Sequence, residues 1–208
     1  MSKTRDLLEG TTVIPVLAFS EIAPTLRMIE RMVGSGLKVI ELTRRSDVAR
    51  ETLRQAKTAF GKDAIIGMGT ILDPDQLDQS IDDGADFGVS PGLTPALLTA
   101  LQSCDLPFLP GTSTVAEAMT ARAAGFDTLK FFPAEQAGGA PYLKAMGAVL
   151  QDVKFCPTGG VSEKNAQNYL ALPNVICVGA SALSAPASAD EFDATAFHDL
   201  LKKFARPA

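Results

Sequence analysis

A lysine within an apolar run is the residue of this sequence best suited to chemistry. Lys130 lies in residues 128–135, whose sequence TLKFFPAE is typical of a buried strand. Burial of an uncompensated ammonium group costs several kcal/mol and favours the neutral amine, which is a nucleophile. Alternatively, the alkyl stem of the lysine lies on the neighbouring phenylalanines while its head reaches water. The sequence thus indicates either a reactive amine or a lysine at a strand end.

Three further polar residues lie within or just after strand-like runs. Glu41 lies inside an apolar strand, where a carboxylate needs either a structural ion-pair partner or a function. Arg45 has a planar guanidinium that suits bidentate binding of a carboxylate, although a solvated loop arginine is an equal alternative. Thr70 supplies a hydroxyl at the end of the third strand, or simply belongs to the cap region of the next helix. These residues indicate a candidate proton-transfer group, a guanidinium suited to a carboxylate and a hydroxyl, and each of the three keeps its structural alternative.

Two glycine turns predict an anion-binding site. Residues 158–162 (TGGVS) and 178–181 (VGAS) follow the last two predicted strands. Glycine lets backbone N–H groups approach an anion closely, and a helix start behind the second turn adds to the attraction. One such turn would be weak evidence, because turns need glycine in any case. Two of them in these loops favour a phosphorylated substrate.

The elements that must position these groups alternate along the chain. Eight strand-like runs begin near Val13, Leu37, Ala64, Phe87, Pro107, Thr128, Lys154 and Val175, and stretches with helical period separate them. Asp73 and Thr94, each followed by proline, predict helix starts, and Gly34 and Gly125 predict helix ends. Because such alternation is typical of parallel strands, the eight units predict an α/β fold, a (β/α)8 TIM barrel built as a single domain from residues 1–208.

A doubly wound open sheet is the alternative fold. It would require a glycine-rich dinucleotide fingerprint after the first strand, whereas residues 13–20 contain no glycine. In a barrel, reactive groups lie at the carboxyl ends of the strands and in the loops that follow. The polar residues described above fall near those ends, so the barrel is the favoured fold.

Composition narrows the class of protein further. The 208 residues are 46% hydrophobic and 21% charged with a formal net charge of −5, and the basic residues are scattered, so no nucleic-acid or membrane partner is expected. No apolar run approaches the roughly 20 residues of a membrane span, and no signal-type core follows Met1, which predicts a cytoplasmic protein. Cys104, Cys156 and Cys177 are expected to be buried free thiols. The only histidine in the sequence, His198, is predicted to be a surface or packing residue.

Six motifs, in order, resemble the 2-keto-3-deoxy-6-phosphogluconate (KDPG) and 4-hydroxy-2-oxoglutarate (KHG) aldolases. They are ELTRR at 41–45, GMGT at 67–70, SPGLT at 90–94, PG at 110–111, KFFPAE at 130–135 and CPTGG at 156–160. The resemblance extends from about residue 13 to residue 181. It implies a homotrimeric barrel and a class I aldolase without cofactor or metal. Such an enzyme cleaves KDPG, a phosphorylated keto acid, to pyruvate and glyceraldehyde 3-phosphate, and often acts on KHG as well.

Carried over by position, the resemblance assigns roles to the residues around the reacting carbons. Lys130 matches the lysine that forms the Schiff base, and Glu41 matches the general base. Arg45 and Thr70 match the residues that hold the pyruvyl carboxylate. Phe132 matches an aromatic residue that packs over the site.

The resemblance also implies where the rest of the substrate binds. Thr158 matches a threonine near the reacting carbon that influences which face of the aldehyde is used. Gly159, Gly160 and Ser181 match the residues that contact the phosphate.

Two departures and three alternatives accompany the resemblance. Arg44 stands where an aliphatic residue is common, and GASAL at 179–183 replaces a Gly-Gly-Ser-Trp type turn. The second departure bears on phosphate affinity and on the choice between KDPG and its galactonate epimer. A metal-dependent aldolase would need a cluster of His or carboxylate ligands. A sugar-phosphate isomerase, epimerase or decarboxylase on the same barrel would use no covalent lysine. A non-catalytic barrel would serve only binding or assembly.

Overall fold

Strands and helices alternate through almost the whole chain. The computed structural model describes residues 2–188 and 190–207. The strand segments of this part are β1 Val13–Leu17, β2 Val39–Thr43, β3 Ile65–Gly69, β4 Gly88–Val89, β5 Phe108–Leu109, β6 Gly111–Thr112, β7 Thr128–Phe131, β8 Lys154–Pro157 and β9 Val178–Ala180. The helices are α1 Lys3–Leu7, α2 Ile22–Gly34, α3 Ala49–Phe60, α4 Pro74–Asp82, α5 Pro95–Gln102, α6 Val115–Ala123, α7 Gly139–Val149, α8 Ala166–Leu170, α9 Ser184–Ser188 and α10 Ala194–Lys202, with a 3-10 turn at Ser181–Leu183.

All paired strands run parallel, which confirms the predicted α/β class. They form a six-stranded sheet in the order β5-β4-β3-β2-β1-β9 and a three-stranded sheet in the order β6-β7-β8. Isolated bridges, Phe155 to Val175 and Thr158 to Gly179, are the pairings that connect β8 with the segment of β9. The sheet therefore curls, but the strands form two separate sheets and not the one continuous ladder of the predicted closed (β/α)8 barrel.

Local backbone features account for the two interruptions. Pro110 separates β5 from β6, and proline has no N–H to donate to a ladder. Between the two bridges, β8 contributes two residues and the partner segment contributes three, which is the geometry of a bulge. The fifth predicted strand is thus split into two segments, and the eighth begins regular pairing at Val178 instead of Val175.

Two separate apolar clusters lie on the two faces of the curled sheet. The larger cluster packs the helices against the strands, and it includes Ile29, Leu53, Leu143 and Phe197 from the predicted helix faces. The smaller cluster lies on the concave face and consists of Leu8, Ile14, Val39, Phe87, Val89, Leu109, Cys156 and Cys177. The concave face therefore holds a core of its own, next to the functional groups described below.

The predicted helix boundaries are confirmed at the positions with the clearest signals. The side chain of Asp73 accepts a hydrogen bond from Gln76 N at the start of α4, and Thr94 accepts one from Leu97 N at the start of α5. Helix α2 ends at Gly34. Gly125, just after α6, has a φ of +97°, which lies in the left-handed region.

Helix α1 was not predicted, because five residues are too few for a periodic pattern. Thr4 Oγ1 accepts a hydrogen bond from Phe108 N and donates one to Phe108 O, at 2.9 and 3.1 Å. Leu8, directly after the helix, is fully buried in the concave cluster. The segment therefore covers one end of the concave face.

Two glycines make room for aromatic rings from the next strand along. A Cβ at Gly67 would lie 2.5 Å from the ring of Phe87 in the concave cluster. A Cβ at Gly88 would lie 2.5 Å from the ring of Phe108 in the outer cluster. Both contacts are too short for real carbon atoms, so these strands accept their aromatic neighbours only because the side chain is absent.

The remaining predictions concern single residues and the membrane. His198 is exposed on α10, as predicted. The three cysteines are free; Cys156 and Cys177 are buried, whereas Cys104 is only partly buried. In residues 2–188 and 190–207, no helix has the length and apolarity to cross a membrane.

Candidate active site

Lys130 and Glu41 meet on the concave face. Lys130 is 5% exposed and Glu41 is 3% exposed, and Lys130 Nζ lies 3.2 Å from Glu41 Oε1. Strand β7 places the lysine in register with Gly111 of β6 and Cys156 of β8. The two partners come from different sheets, so their contact depends on the curl of the strands. A lysine head that reaches water is therefore excluded, and the lysine is buried beside a carboxylate.

Gly69 provides the space that the Glu41 carboxylate occupies. Parallel register pairs Glu41 with Gly67 and Thr43 with Gly69, so these side-chain positions share the concave face. A Cβ at Gly69 would lie 2.6 Å from Glu41 Cδ and would also overlap Oε1. The glycine is therefore a steric requirement of the ion pair.

Substitution of this glycine tests the packing of the ion pair. We expect Gly69→Ala to displace the Glu41 carboxylate and to lower the free energy of unfolding by about 1–3 kcal/mol, the usual cost of overpacking a core. The matched control is Gly34→Ala at the end of α2, where a Cβ meets nothing within 4 Å. The control should keep or slightly raise stability in denaturant unfolding. Equal stability of both variants would contradict the assignment.

A cavity of about 210 Å³ opens next to the ion pair, on the side of the carboxyl ends of the strands. Its walls are Val16, Ala18, Thr43, Arg45, Phe132, Thr158, Gly159, Gly160, Val161, Gly179 and Ser181. The ring of Phe132 lines the cavity, and its centroid is 5.5 Å from Lys130 Nζ. Lys130 and Glu41 lie two positions before the wall residues Phe132 and Thr43. Two strand residues span about 7 Å, so Lys130 and Glu41 lie about 7 Å further from the carboxyl ends of the strands. The ion pair thus lies below the cavity floor.

The structure brings six of the nine predicted site residues together around this cavity. They are Arg45, Phe132, Thr158, Gly159, Gly160 and Ser181. Thr70 does not line it. The residue that departs from the family pattern, Arg44, points to Gln79 on α4 and does not line the cavity either. Its side chain therefore has no direct part in this site.

Thr70 has an unusual backbone conformation. Its φ is +64°, and it is the only non-glycine residue of the described chain with a positive φ. A β-branched residue in the left-handed region is an outlier, and such strain is often found at functional sites. The N-cap of the next helix is Asp73, so Thr70 lies three positions before the cap and does not itself cap the helix.

The glycine turn after β8 requires glycine at both positions. Gly159 and Gly160 have φ values of +99° and +79°. At Gly179, a Cβ would lie 2.9 Å from Thr158 Cγ2, so this glycine lets the two turns approach each other. The 3-10 turn that begins with Ser181 follows directly. Both predicted glycine turns therefore face the same cavity.

Thr43 is a wall residue that its sequence context alone did not single out. It is buried, and its Oγ1 donates a 2.7 Å hydrogen bond to Leu17 O at the end of β1. Strand period could have found it, because Val39, Glu41 and Thr43 alternate onto one face of β2. The apolar wall residues had no comparable signal.

Two thiols lie next to the ion pair on the concave face. Cys177 is wholly buried. Its hydrogen bond with Cys156 is the main cause that raises the pKa of the Cys177 thiol well above its usual value, and burial is the second cause. A protonated, buried thiol is a poor nucleophile. No group of three or more His, Cys, Asp or Glu side chains suited to a metal ion occurs in the part of the chain that the structure describes. The chemistry of the site therefore centres on the lysine and the carboxylate.

A buried amine that can form an imine, beside a carboxylate that can move protons, is the arrangement that a lyase of the class I aldolase type requires. The family model for KDPG and KHG aldolase matches residues 5–198. The chain belongs to this family.

Individual relatives agree with the family assignment. The KHG/KDPG aldolase of Escherichia coli K12 is 38% identical over 207 residues, which span all of this chain and 95% of the relative. A 2-dehydro-3-deoxy-phosphogluconate aldolase of Dickeya dadantii is 39% identical over 190 residues, which span 91% of this chain and 88% of the relative.

A solved structure agrees as well. The KDPG aldolase of Legionella pneumophila, with pyruvate captured as a covalent carbinolamine, has a TM-score of 0.89 and 38% identity and covers 96% of both chains. Similarity therefore extends through the fold.

Proposed function

We propose that this protein cleaves KDPG to pyruvate and glyceraldehyde 3-phosphate through a Schiff base on Lys130, and also cleaves KHG to pyruvate and glyoxylate. The observation that carries the proposal is the buried Lys130 amine, 3.2 Å from the Glu41 carboxylate and directly beneath a glycine-lined cavity. The pyruvate carbinolamine in the Legionella relative supports covalent chemistry here.

Lys130 supplies the electron sink. Its amine attacks the C2 ketone of the substrate, and loss of water from the carbinolamine gives a protonated imine. The C3–C4 bond then breaks, and its electron pair moves into the imine to form an enamine. Protonation of C3 and addition of water to the imine release pyruvate and return the free amine. No external oxidant, reductant or cofactor is needed for this sequence.

Glu41 moves the protons. It accepts the C4 hydroxyl proton, directly or through a water molecule, as the C3–C4 bond breaks and the aldehyde forms. It then returns a proton to C3 of the enamine. Because its carboxylate lies within 3.2 Å of the lysine nitrogen, it is within reach of both reacting carbons once the imine has formed.

The cavity walls hold the two charged ends of the substrate. We assign the pyruvyl carboxylate to Arg45 in the cavity wall and to Thr70, which follows β3 and lies outside that wall. Phe132 would pack over the imine. Thr158 faces the reacting carbon and influences the face of the aldehyde.

The phosphate has its own wall. We assign it to Gly159, Gly160 and Ser181, where left-handed glycines turn the backbone towards the cavity. The substrate would therefore extend from Arg45 across the lysine to the glycine turns.

Thr70 permits a test that separates stability from binding. We expect Thr70→Gly to raise the free energy of unfolding by up to about 1 kcal/mol, because it removes a left-handed β-branched residue. The same change should raise KM for KDPG roughly tenfold through loss of the hydroxyl. The control Thr70→Ser keeps the hydroxyl and should keep KM. Steady-state kinetics and denaturant unfolding measure both quantities, and an unchanged KM in Thr70→Gly would contradict the role.

We infer further that residues 1–208 form one domain and that the curled sheet closes into a (β/α)8 barrel. The bridges between β8 and β9, and the single residue between β5 and β6, support closure. We also propose a homotrimer from the family resemblance and a cytoplasmic location from the free cysteines. Sedimentation equilibrium tests the trimer.

Reductive trapping tests the proposed function. Incubation with pyruvate and borohydride should add one pyruvyl-derived mass per chain, and peptide mapping should locate it at Lys130. Cleavage of KDPG without any trapped adduct would favour a metal or acid/base route instead. An adduct without cleavage of KDPG or KHG would show that the substrate is a different pyruvate-derived keto acid, and kinetics with the galactonate epimer would then test the first alternative.

A further inference from the structure

The glycine turn at Gly159 and Gly160 is held in place by side chains that no step above uses. Glu135 lies directly against it: a Cβ at Gly160 would be 2.6 Å from Glu135 Cγ. Glu135 N donates a 3.1 Å hydrogen bond to Gly159 O, and Ala134 N donates one of 2.8 Å to Thr158 O. Residues 134–135 therefore bond to the turn beyond the ends of β7 and β8.

Asn165 also bonds to the same turn. Its Nδ2 donates a 3.0 Å hydrogen bond to Gly160 O, and its Oδ1 accepts one of 2.8 Å from Ser162 N. On the side of residues 134–135, the turn is held by the two backbone hydrogen bonds and by the packing of the Glu135 side chain against Gly160. Of these, the side-chain packing depends on how the Glu135 carboxylate is fixed.

Tyr169 fixes Glu135. Tyr169 lies on α8 and is 1% exposed, and its Oη donates a hydrogen bond to Glu135 Oε1. Burial raises the pKa of Tyr169, and the hydrogen bond to Glu135 and the charge of Glu135 raise it further. The phenol therefore keeps its proton at physiological pH and remains a donor. Glu135 itself is largely exposed, so without this bond its side chain would be free to leave the turn.

We propose that Tyr169 is a positioning residue for the phosphate end of the substrate: it holds Glu135, and Glu135 holds the Gly159–Gly160 turn in its phosphate-binding conformation. This proposal rests on the proposed function, because it assigns the turn to the phosphate. It adds that Tyr169 affects binding of the phosphate and not the chemistry at Lys130 and Glu41. The Lys130–Glu41 pair lies deeper on β7 and β2, and no contact joins it to Tyr169 among the hydrogen bonds and ion pairs of the described residues.

This separation of Tyr169 from the Lys130–Glu41 pair predicts that a change at Tyr169 weakens the binding of phosphorylated ligands only. We expect Tyr169→Phe to raise KM for KDPG about tenfold, which is typical of losing a hydrogen bond to a charged group, with kcat changed less than about twofold. KM for KHG, which has no phosphate, and the rate of borohydride trapping with pyruvate should stay at wild-type values. 3-Phosphoglycerate carries a phosphate and a carboxylate but no ketone, so it cannot form an imine. Calorimetry with this ligand should show the same tenfold loss of affinity.

Three variants make the test decisive. Tyr142→Phe makes the same change at the other tyrosine of the sequence, which stacks on Phe131, and should leave every readout unchanged. Glu135→Gln keeps an oxygen that can accept the Tyr169 hydrogen bond and should retain most of the KDPG affinity. Glu135→Ala should reproduce Tyr169→Phe, and since Glu135 is exposed, this variant is expected to fold even if Tyr169→Phe does not.

The outcomes separate this proposal from the proposed function. An equal rise in KM for KDPG and KHG, or unchanged affinity for 3-phosphoglycerate, would overturn the positioning role and leave Tyr169 as a core residue. Failure of the wild-type protein to trap pyruvate would instead overturn the proposed function. The 3-phosphoglycerate measurement would still decide the role of Tyr169 in that case.

Discussion

Replacement of Lys130 by alanine is expected to abolish the pyruvate adduct and to lower kcat for KDPG cleavage by at least about 10⁴-fold, the scale on which loss of a covalent nucleophile acts. The reason is specific to this position. Without the amine no imine forms, so the electron pair of the breaking C3–C4 bond has no acceptor. Mass spectrometry after borohydride treatment and steady-state kinetics measure the two effects independently.

Lys154→Ala is the matched control for this experiment. Lys154 lies on β8 in register with Thr128 of β7, but its Nζ is near the surface and donates to Pro173 O at 2.7 Å. Its loss should leave both trapping and turnover at wild-type levels. If Lys154→Ala lost the adduct while Lys130→Ala retained it, the assignment of the nucleophile would be wrong.

Glu41→Gln is expected to separate imine formation from proton transfer. The variant should still accumulate one pyruvate adduct during a long incubation, because Lys130 is intact. Its kcat for KDPG should fall by about 10²–10⁴-fold, as expected for loss of a general base. Exchange of the pyruvate methyl protons with deuterium oxide, followed by NMR, should slow by a similar factor, since exchange requires the same proton transfer at C3.

The competing interpretation of Glu41 is a purely structural ion pair. In that case the loss of activity would follow a loss of stability, which is severe when one member of a buried pair is removed. Measurement of kcat well below the unfolding transition distinguishes the two, because a structural defect should then largely disappear. Glu30→Gln, on the exposed face of α2, controls for the change of charge.

The fold was largely predictable because local signals agree with the global pattern. Helical period, Pro74 and Pro95 at helix starts, and Gly34 at a helix end all match observed boundaries. The features that the sequence did not predict depend on contacts between residues far apart in the chain. The bulge opposite Cys156 is set by pairing between distant segments, and helix α1 is held by Phe108 rather than by its own periodicity.

The site was predictable where chemistry is unusual for its surroundings. Lys130 and Glu41 were found because charged groups are rare in apolar strands, and the structure shows them in contact. That contact could not be derived from spacing, since the residues are 89 positions apart and belong to different sheets. Thr43 and Tyr169 were missed because a threonine in a strand and a tyrosine in a helix are ordinary residues until their partners are known.

The glycines that accommodate Phe87 and Phe108 affect how relatives of this protein can diverge. Neither Gly67 nor Gly88 can gain a side chain while the neighbouring ring stays in place, since the two would occupy the same volume. The phenylalanine can be replaced first by a smaller residue, which leaves a void, whereas the glycine cannot be replaced first by a larger residue. The order of substitutions is thus constrained. A lineage that replaces Gly67 or Gly88 must first replace the neighbouring phenylalanine by a smaller residue, and that intermediate is less stable.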